Sequence, residues 1–165
     1  MRNFKIFLWI FIIFLIQTVL LARVHIFGAV PSAVMAYVVC VMLLENEFRN
    51  AVTISLICAA AAGALCGREF VVITLFYVYS SIVIFTLRDK PVYVGNYAKA
   101  IVWTFISSVA METALFAVEH MTVSMSMFMY NALPTAVCNM ALAALIYPLL
   151  KALMYKEKKK KLLIV

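Results

Sequence analysis

The chain has 165 residues, 67% of them apolar and 13% charged, with a mean hydropathy of +1.08. Soluble domains carry about half apolar and a quarter charged residues, so this composition excludes an ordinary soluble domain and points to one polytopic membrane domain. The net charge of +7 does not indicate nucleic acid: Lys156, Lys158, Lys159, Lys160 and Lys161 cluster in a tail with no nucleic-acid-binding module around them, as a lipid- or filament-facing cytoplasmic flank would.

Six apolar segments follow in order. The first spans residues 4–22, broken only by Gln17 and Thr18. It is longer than the apolar region of a secretory signal and no A-x-A site follows, so it reads as a retained helix. Arg23 and His25 mark a short turn. The second helix is predicted over 26–44, with Gly28 and Pro31 near its start, where proline's fixed φ and missing N–H cost least. Glu45, Glu47 and Arg49 bound it. The third helix covers 50–66 and the fourth 70–87, separated by Arg68 and Glu69. The fourth is rich in Val, Ile and Tyr, but lipid cannot satisfy an open strand edge, which favours a helix. The longest connection, 88–99, contains Asp89, Lys90, Pro91, Gly95 and Asn96. A fifth helix over 100–118 and a sixth over 133–153 complete the membrane domain, residues 1–155, and residues 156–165 form the basic tail.

The expected architecture is therefore an all-α bundle of six transmembrane helices. With the amino terminus inside, twelve Lys and Arg residues fall on inner segments, against Arg23 and Arg68 outside. That bias places both termini in the cytoplasm.

Within 55–67, counting by fours gives Ser55, Ala59, Gly63 and Gly67, a stripe of small residues on one face of the third helix. Lipid tails are as apolar as Leu, so membrane helices associate through close packing, which small residues allow. This helix is the expected axis of the bundle, and the stripe a seam within it or a partner interface.

Candidate chemistry is sparse. Cys40, Cys58, Cys66 and Cys138 are scattered singly and read as small packing residues. No Walker loop, G-x-S-x-G or H-E-x-x-H occurs, so no enzyme is indicated, and no cofactor or metal. His25 and His120 stand alone in outer turns. Met121, Met125, Met127 and Met129 lie beside His120; thioethers suit Cu(I), but they also fill irregular apolar contacts. Tyr93, Tyr97 and Tyr130 fit interfacial positions. Glu112 lies about 18 Å along the fifth helix from residue 100, and Ser108, Glu112 and Glu119 share one face. A carboxylate at such depth faces the bundle interior or a partner helix, unless it snorkels outward or is protonated in place. Asn139 and Gln17 can hydrogen-bond between helices.

Several local patterns resemble one family. Leu15-Ile16-Gln17, Phe27-Gly28-Ala29-Val30-Pro31, Ala62-Gly63-Ala64-Leu65, and Asn139 through Tyr147-Pro148-Leu149-Leu150 with its basic tail occur in the order and spacing of the rod shape-determining MreD family. The chain departs from that pattern at Ser32 and Gly67, where the family often has Asp. The resemblance implies a non-enzymatic scaffold of the bacterial inner membrane in the machinery of lateral peptidoglycan synthesis. It implies a single-span MreC-like partner, with MreB filaments, the RodA glycosyltransferase and a penicillin-binding protein in the larger complex. It also implies a fold similar to the six-helix substrate-binding subunits of energy-coupling vitamin transporters. A second reading is such a subunit itself, with Glu112, Ser108, Asn131 and His120 as polar groups near its outer face.

Overall fold

The computed structural model describes residues 2–23, 30–66, 70–88, 96–120, 126 and 128–162. The described residues form helices and no strand. They comprise α1 (Arg2–Leu15), α2 (Ala33–Leu44), α3 (Phe48–Cys66), α4 (Phe70–Leu87), α5 (Asn96–His120) and α6 (Leu133–Leu162). A π-helical turn, Ile16–Leu20, and a 3-10 turn, Leu21–Arg23, extend α1, and a second π-helical turn, Phe128–Ala132, leads into α6. The expected positions His25, Gly67, Arg68, Glu69, Tyr93, Met121, Met125 and Met127 lie outside the described residues.

The central element is α2, not α3. Ten of its twelve residues, from Ala33 to Met42, are buried. It packs against α6, α4, α5, α3 and α1. A helix apolar on every side is stable when other helices surround it, and α2 has Val, Met, Tyr and Cys directed to all of them. By contrast α3 packs chiefly on α4.

Two antiparallel pairs flank α2. In the α3–α4 pair, Ser55 meets Tyr77 and Ser81 while Gly63 meets Phe70. In the α5–α6 pair, the Tyr97 and Tyr147 rings meet edge to face at 5.8 Å, and Ser108 meets Asn139 eleven residues further along α5. Against α2 also packs α1, with Ile10 and Ile13 buried.

Helix ends differ most from the sequence expectation in α2, α5 and α6. Residues 30–32 are not helical, so Pro31 precedes α2 instead of lying in its first turn. Ser32 caps the helix from an extended conformation, φ −112° and ψ 95°, its hydroxyl accepting from the Met35 N–H at 3.3 Å. Helix α5 starts at Asn96 within the expected connection, and α6 continues through the lysine tail to Leu162.

Among the described residues, three helical stretches are long and apolar enough to cross a membrane: Phe70–Leu87, Asn96–Val118 and Met129–Leu153. Leu8–Val19, Ala33–Leu44 and Phe48–Ala64 are shorter apolar helices. The outward faces match this. Along α4, Val71, Leu75, Tyr79 and Ile82 are exposed at spacings of three and four, and along α6 Val137, Leu145 and Leu149 are exposed at spacings of eight and four. Apolar stripes of this length would drive aggregation in water but suit acyl chains. The chain is an all-α protein with the helices of a membrane protein.

Candidate functional site

Four segments converge where α2 begins. The first N–H groups of a helix have no partner inside it, and in a membrane bundle water does not supply one. Here side chains do. Asn139 of α6 accepts the Ser32 N–H through Oδ1 at 2.6 Å, and Gln17 accepts the Ala33 N–H through Oε1 at 2.7 Å. With the Ser32 hydroxyl on Met35, three of the four amides at this end have a side-chain acceptor.

Both amides are used at their other end. Gln17 Nε2 donates to the Pro31 carbonyl at 3.0 Å, so one side chain grips the backbone on both sides of Ser32. Asn139 Nδ2 donates to Ser108 Oγ on α5 at 2.9 Å. Asn139 and Ser108 are each 1% exposed. Gln17 sits in the π-helical turn that follows α1. The result is a polar clamp joining that turn, the entry to α2, α5 and α6. Its chemistry is structural: the amide donors and acceptors meet backbone groups or one another.

The structure thus brings together Gln17, Ser108 and Asn139, three of the four intramembrane polar residues expected from the sequence. Glu112, one turn beyond Ser108 on α5, is half-buried and lies outside the clamp.

Ser55 and Gly63 of the small-residue stripe face α4. Ser55 is fully buried, and its hydroxyl donates to the Tyr77 carbonyl at 3.2 Å and lies 2.5 Å from Ser81 Oγ. Ala59 is fully buried one turn on. A Cβ on Gly63 would come to 2.7 Å from Phe70 Cδ2 and 3.2 Å from the Phe70 carbonyl oxygen. These three positions of the stripe therefore lie in a seam within the chain.

Sequence reasoning missed a charged latch at the opposite end of α2. Glu45 follows the last turn of α2 and is 1% exposed. Its Oε1 accepts from the Asn46 and Glu47 N–H groups at 3.0 and 3.3 Å, which fixes the turn into α3. The Arg88 guanidinium donates to the Glu45 carbonyl and lies 4.0 Å over the Phe85 ring. Phe85 in turn meets Phe48 at 5.1 Å, and Lys99 Nζ donates to the Arg88 carbonyl at 2.8 Å. One cluster so ties the ends of α2, α3, α4 and α5. The available signal was the alternation of acids and bases at the helix boundaries, which reads equally well as solvated flanks. Arg88→Leu is expected to cost about 1–3 kcal/mol by leaving a buried carbonyl without its donor, measured as a lower thermal transition in detergent; an unchanged transition would count against the latch.

Among the described residues, no three His, Cys, Asp or Glu side chains gather to hold a metal ion. Lys156, Lys158, Lys159, Lys160 and Lys161 lie on the last turns of α6. No protein-family model matches the chain, and neither the curated proteins nor the solved structures contain a significant match to it.

Proposed function

We propose that this chain is a non-enzymatic scaffold of the bacterial inner membrane, similar to the MreD family, that binds a single-span MreC-like partner and helps organise lateral peptidoglycan synthesis and rod shape. One observation carries the reading. Gln17, Pro31 and Asn139, which belong to three separate stretches resembling that family, meet in one part-buried clamp.

In this reading the six helices cross the membrane and both termini are cytoplasmic. The short α2 accords with that. Its twelve residues rise about 18 Å, and the three non-helical residues before it span at most about 10 Å. Together they approach the ~30 Å hydrocarbon thickness. The MreB filaments, the RodA glycosyltransferase and a penicillin-binding protein are the wider assembly this scaffold would serve. Contact with partners would fall on the exposed apolar faces of the helices, because α4 occupies α3 at Ser55 and Gly63.

Purification of the tagged chain from native membranes tests the proposal: an MreC-like protein is expected in stoichiometric amount, and its absence under conditions that preserve the bundle would overturn it. Native mass spectrometry of the same sample addresses the second reading, a vitamin-transporter subunit. For that reading Glu112 stands half-buried one turn from Ser108 on α5. A retained vitamin with no protein partner would favour it.

A further inference from the structure

The outward face of α4 carries one group that lipid does not suit. Val71, Leu75, Tyr79, Ile82 and Thr86 are exposed along it. At about 100° per residue they fall within an arc of about 80°. From Leu75 onward their spacing is four, three and four, the register of a helix-packing seam. Tyr79 lies nine residues after Phe70 and eight before Leu87. Its Cα is therefore ~12–14 Å from either end of the span, close to the middle of a membrane.

Tyrosine ordinarily sits at the membrane boundary, with its ring in the apolar layer and its hydroxyl in water. Tyr97 at the start of α5 and Tyr130 in the turn before α6 stand at such ends. Tyr79 does not. It is 70% exposed, and its hydroxyl has no hydrogen-bond partner among the described residues. Exposed threonines solve the same problem within their own helix. Thr18, Thr53 and Thr86 each donate to the carbonyl four residues earlier, at 2.9, 2.8 and 2.8 Å. The hydroxyl at the far end of a rigid ring cannot fold back in that way. An unpaired hydroxyl among acyl chains is costly, so Tyr79 calls for a partner from outside the chain at its own depth.

We propose that α4 pairs with α4 of a second copy of this chain, the two Tyr79 hydroxyls hydrogen-bonding at mid-membrane. Copies of one chain insert with the same orientation. A twofold axis normal to the membrane then sets each residue of α4 opposite its equal, at the same depth. A tyrosine hydroxyl both donates and accepts, so one group serves on both sides of the axis. Leu75 and Ile82, about one turn to either side, pack against their counterparts. A different helix would have to carry an acceptor at this one depth, whereas a second copy supplies it by symmetry. The inference requires only that α4 spans the membrane and is independent of the scaffold reading. The exposed faces of α1, α5 and α6 remain open to other partners.

The full chain, labelled with donor and acceptor fluorophores at its carboxyl terminus, provides the test in liposomes of phosphatidylethanolamine and phosphatidylglycerol. Energy transfer is expected to rise with the protein-to-lipid ratio and to saturate as for a dimer. Tyr79→Phe keeps the ring and removes the hydroxyl, and should raise the half-association ratio about three- to tenfold. Oxidative cross-linking in native membranes then identifies the face. Leu75→Cys and Ile82→Cys should give cross-linked dimers that the wild type and Val102→Cys, on the exposed face of α5, do not. A wild-type chain that stays monomeric at every ratio would overturn the pairing, and that reading needs no variant to fold. An unchanged half-association ratio in Tyr79→Phe would overturn it too, as would dimers cross-linked through Val102→Cys and not through α4. Cross-links from Ile82→Cys to a different protein alone would rule out the second copy as the occupant.

Discussion

Asn139→Leu is expected to destabilise the bundle by about 2–4 kcal/mol. The amide serves two partners at once. Its Oδ1 is the acceptor for the Ser32 N–H and its Nδ2 is the donor to Ser108 Oγ. Leucine removes both, and the larger penalty is the backbone amide left inside an apolar bundle. A buried donor without an acceptor costs about 1–3 kcal/mol, and an interhelical side-chain bond in a membrane is worth about 0.6–2 kcal/mol. Ser108→Ala removes the second bond alone and should cost no more than about 1 kcal/mol. The pair of variants therefore separates the two roles. Gln17→Leu acts on the neighbouring amide of Ala33, so Gln17 and Asn139 should show non-additive losses when combined, as groups holding one backbone segment do. Reversible unfolding of purified protein in mixed micelles measures each value. Equal stability of Asn139→Leu and wild type would mean that the α2 entry is held without the clamp.

Gly63→Leu should be comparably damaging, for a steric reason. Even a methyl group at Gly63 meets Phe70 Cδ2 at 2.7 Å and the Phe70 carbonyl oxygen at 3.2 Å. The ring can yield, since Phe70 is 42% exposed; the carbonyl belongs to the α4 backbone and yields only by moving the helix. Gly63→Ala is accordingly expected to cost about 1 kcal/mol, and Gly63→Leu about 3 kcal/mol or more by forcing α3 away from α4. The separation would also loosen the Ser55–Ser81 contact further along the seam. Adding Phe70→Ala should recover part of the alanine variant's loss and little of the leucine variant's. Disulfide trapping of cysteine pairs across α3 and α4 reports the separation directly. Unchanged trapping in Gly63→Leu would show that the close approach is not required.

The division between what was readable in the sequence and what was not follows from the solvent. Composition alone determined an all-α membrane protein, because lipid leaves no alternative for backbone hydrogen bonds in long apolar runs. The fourth segment was legible residue for residue, since charged boundaries at Arg68, Glu69 and Arg88 delimit it. Gln17, Ser108 and Asn139 could be selected as polar residues that must find partners. Their meeting point at the start of α2 could not, because it requires non-helical residues 30–32 and partners more than a hundred positions away. A sequence stretch containing Pro31 is equally compatible with a helix that starts before it.

The position of α2 at the centre was decided by tertiary structure alone. Both α2 and α4 are apolar on every side, yet ten of twelve residues are buried in the first and only four of eighteen in the second. In water, hydrophobic periodicity would separate the buried face from the exposed one. In lipid an apolar side chain is equally at home against a helix or an acyl chain, so that signal is lost. Packing geometry and the few polar groups then choose the neighbours, as Gly63 does for α4 and Asn139 does for α2 and α5.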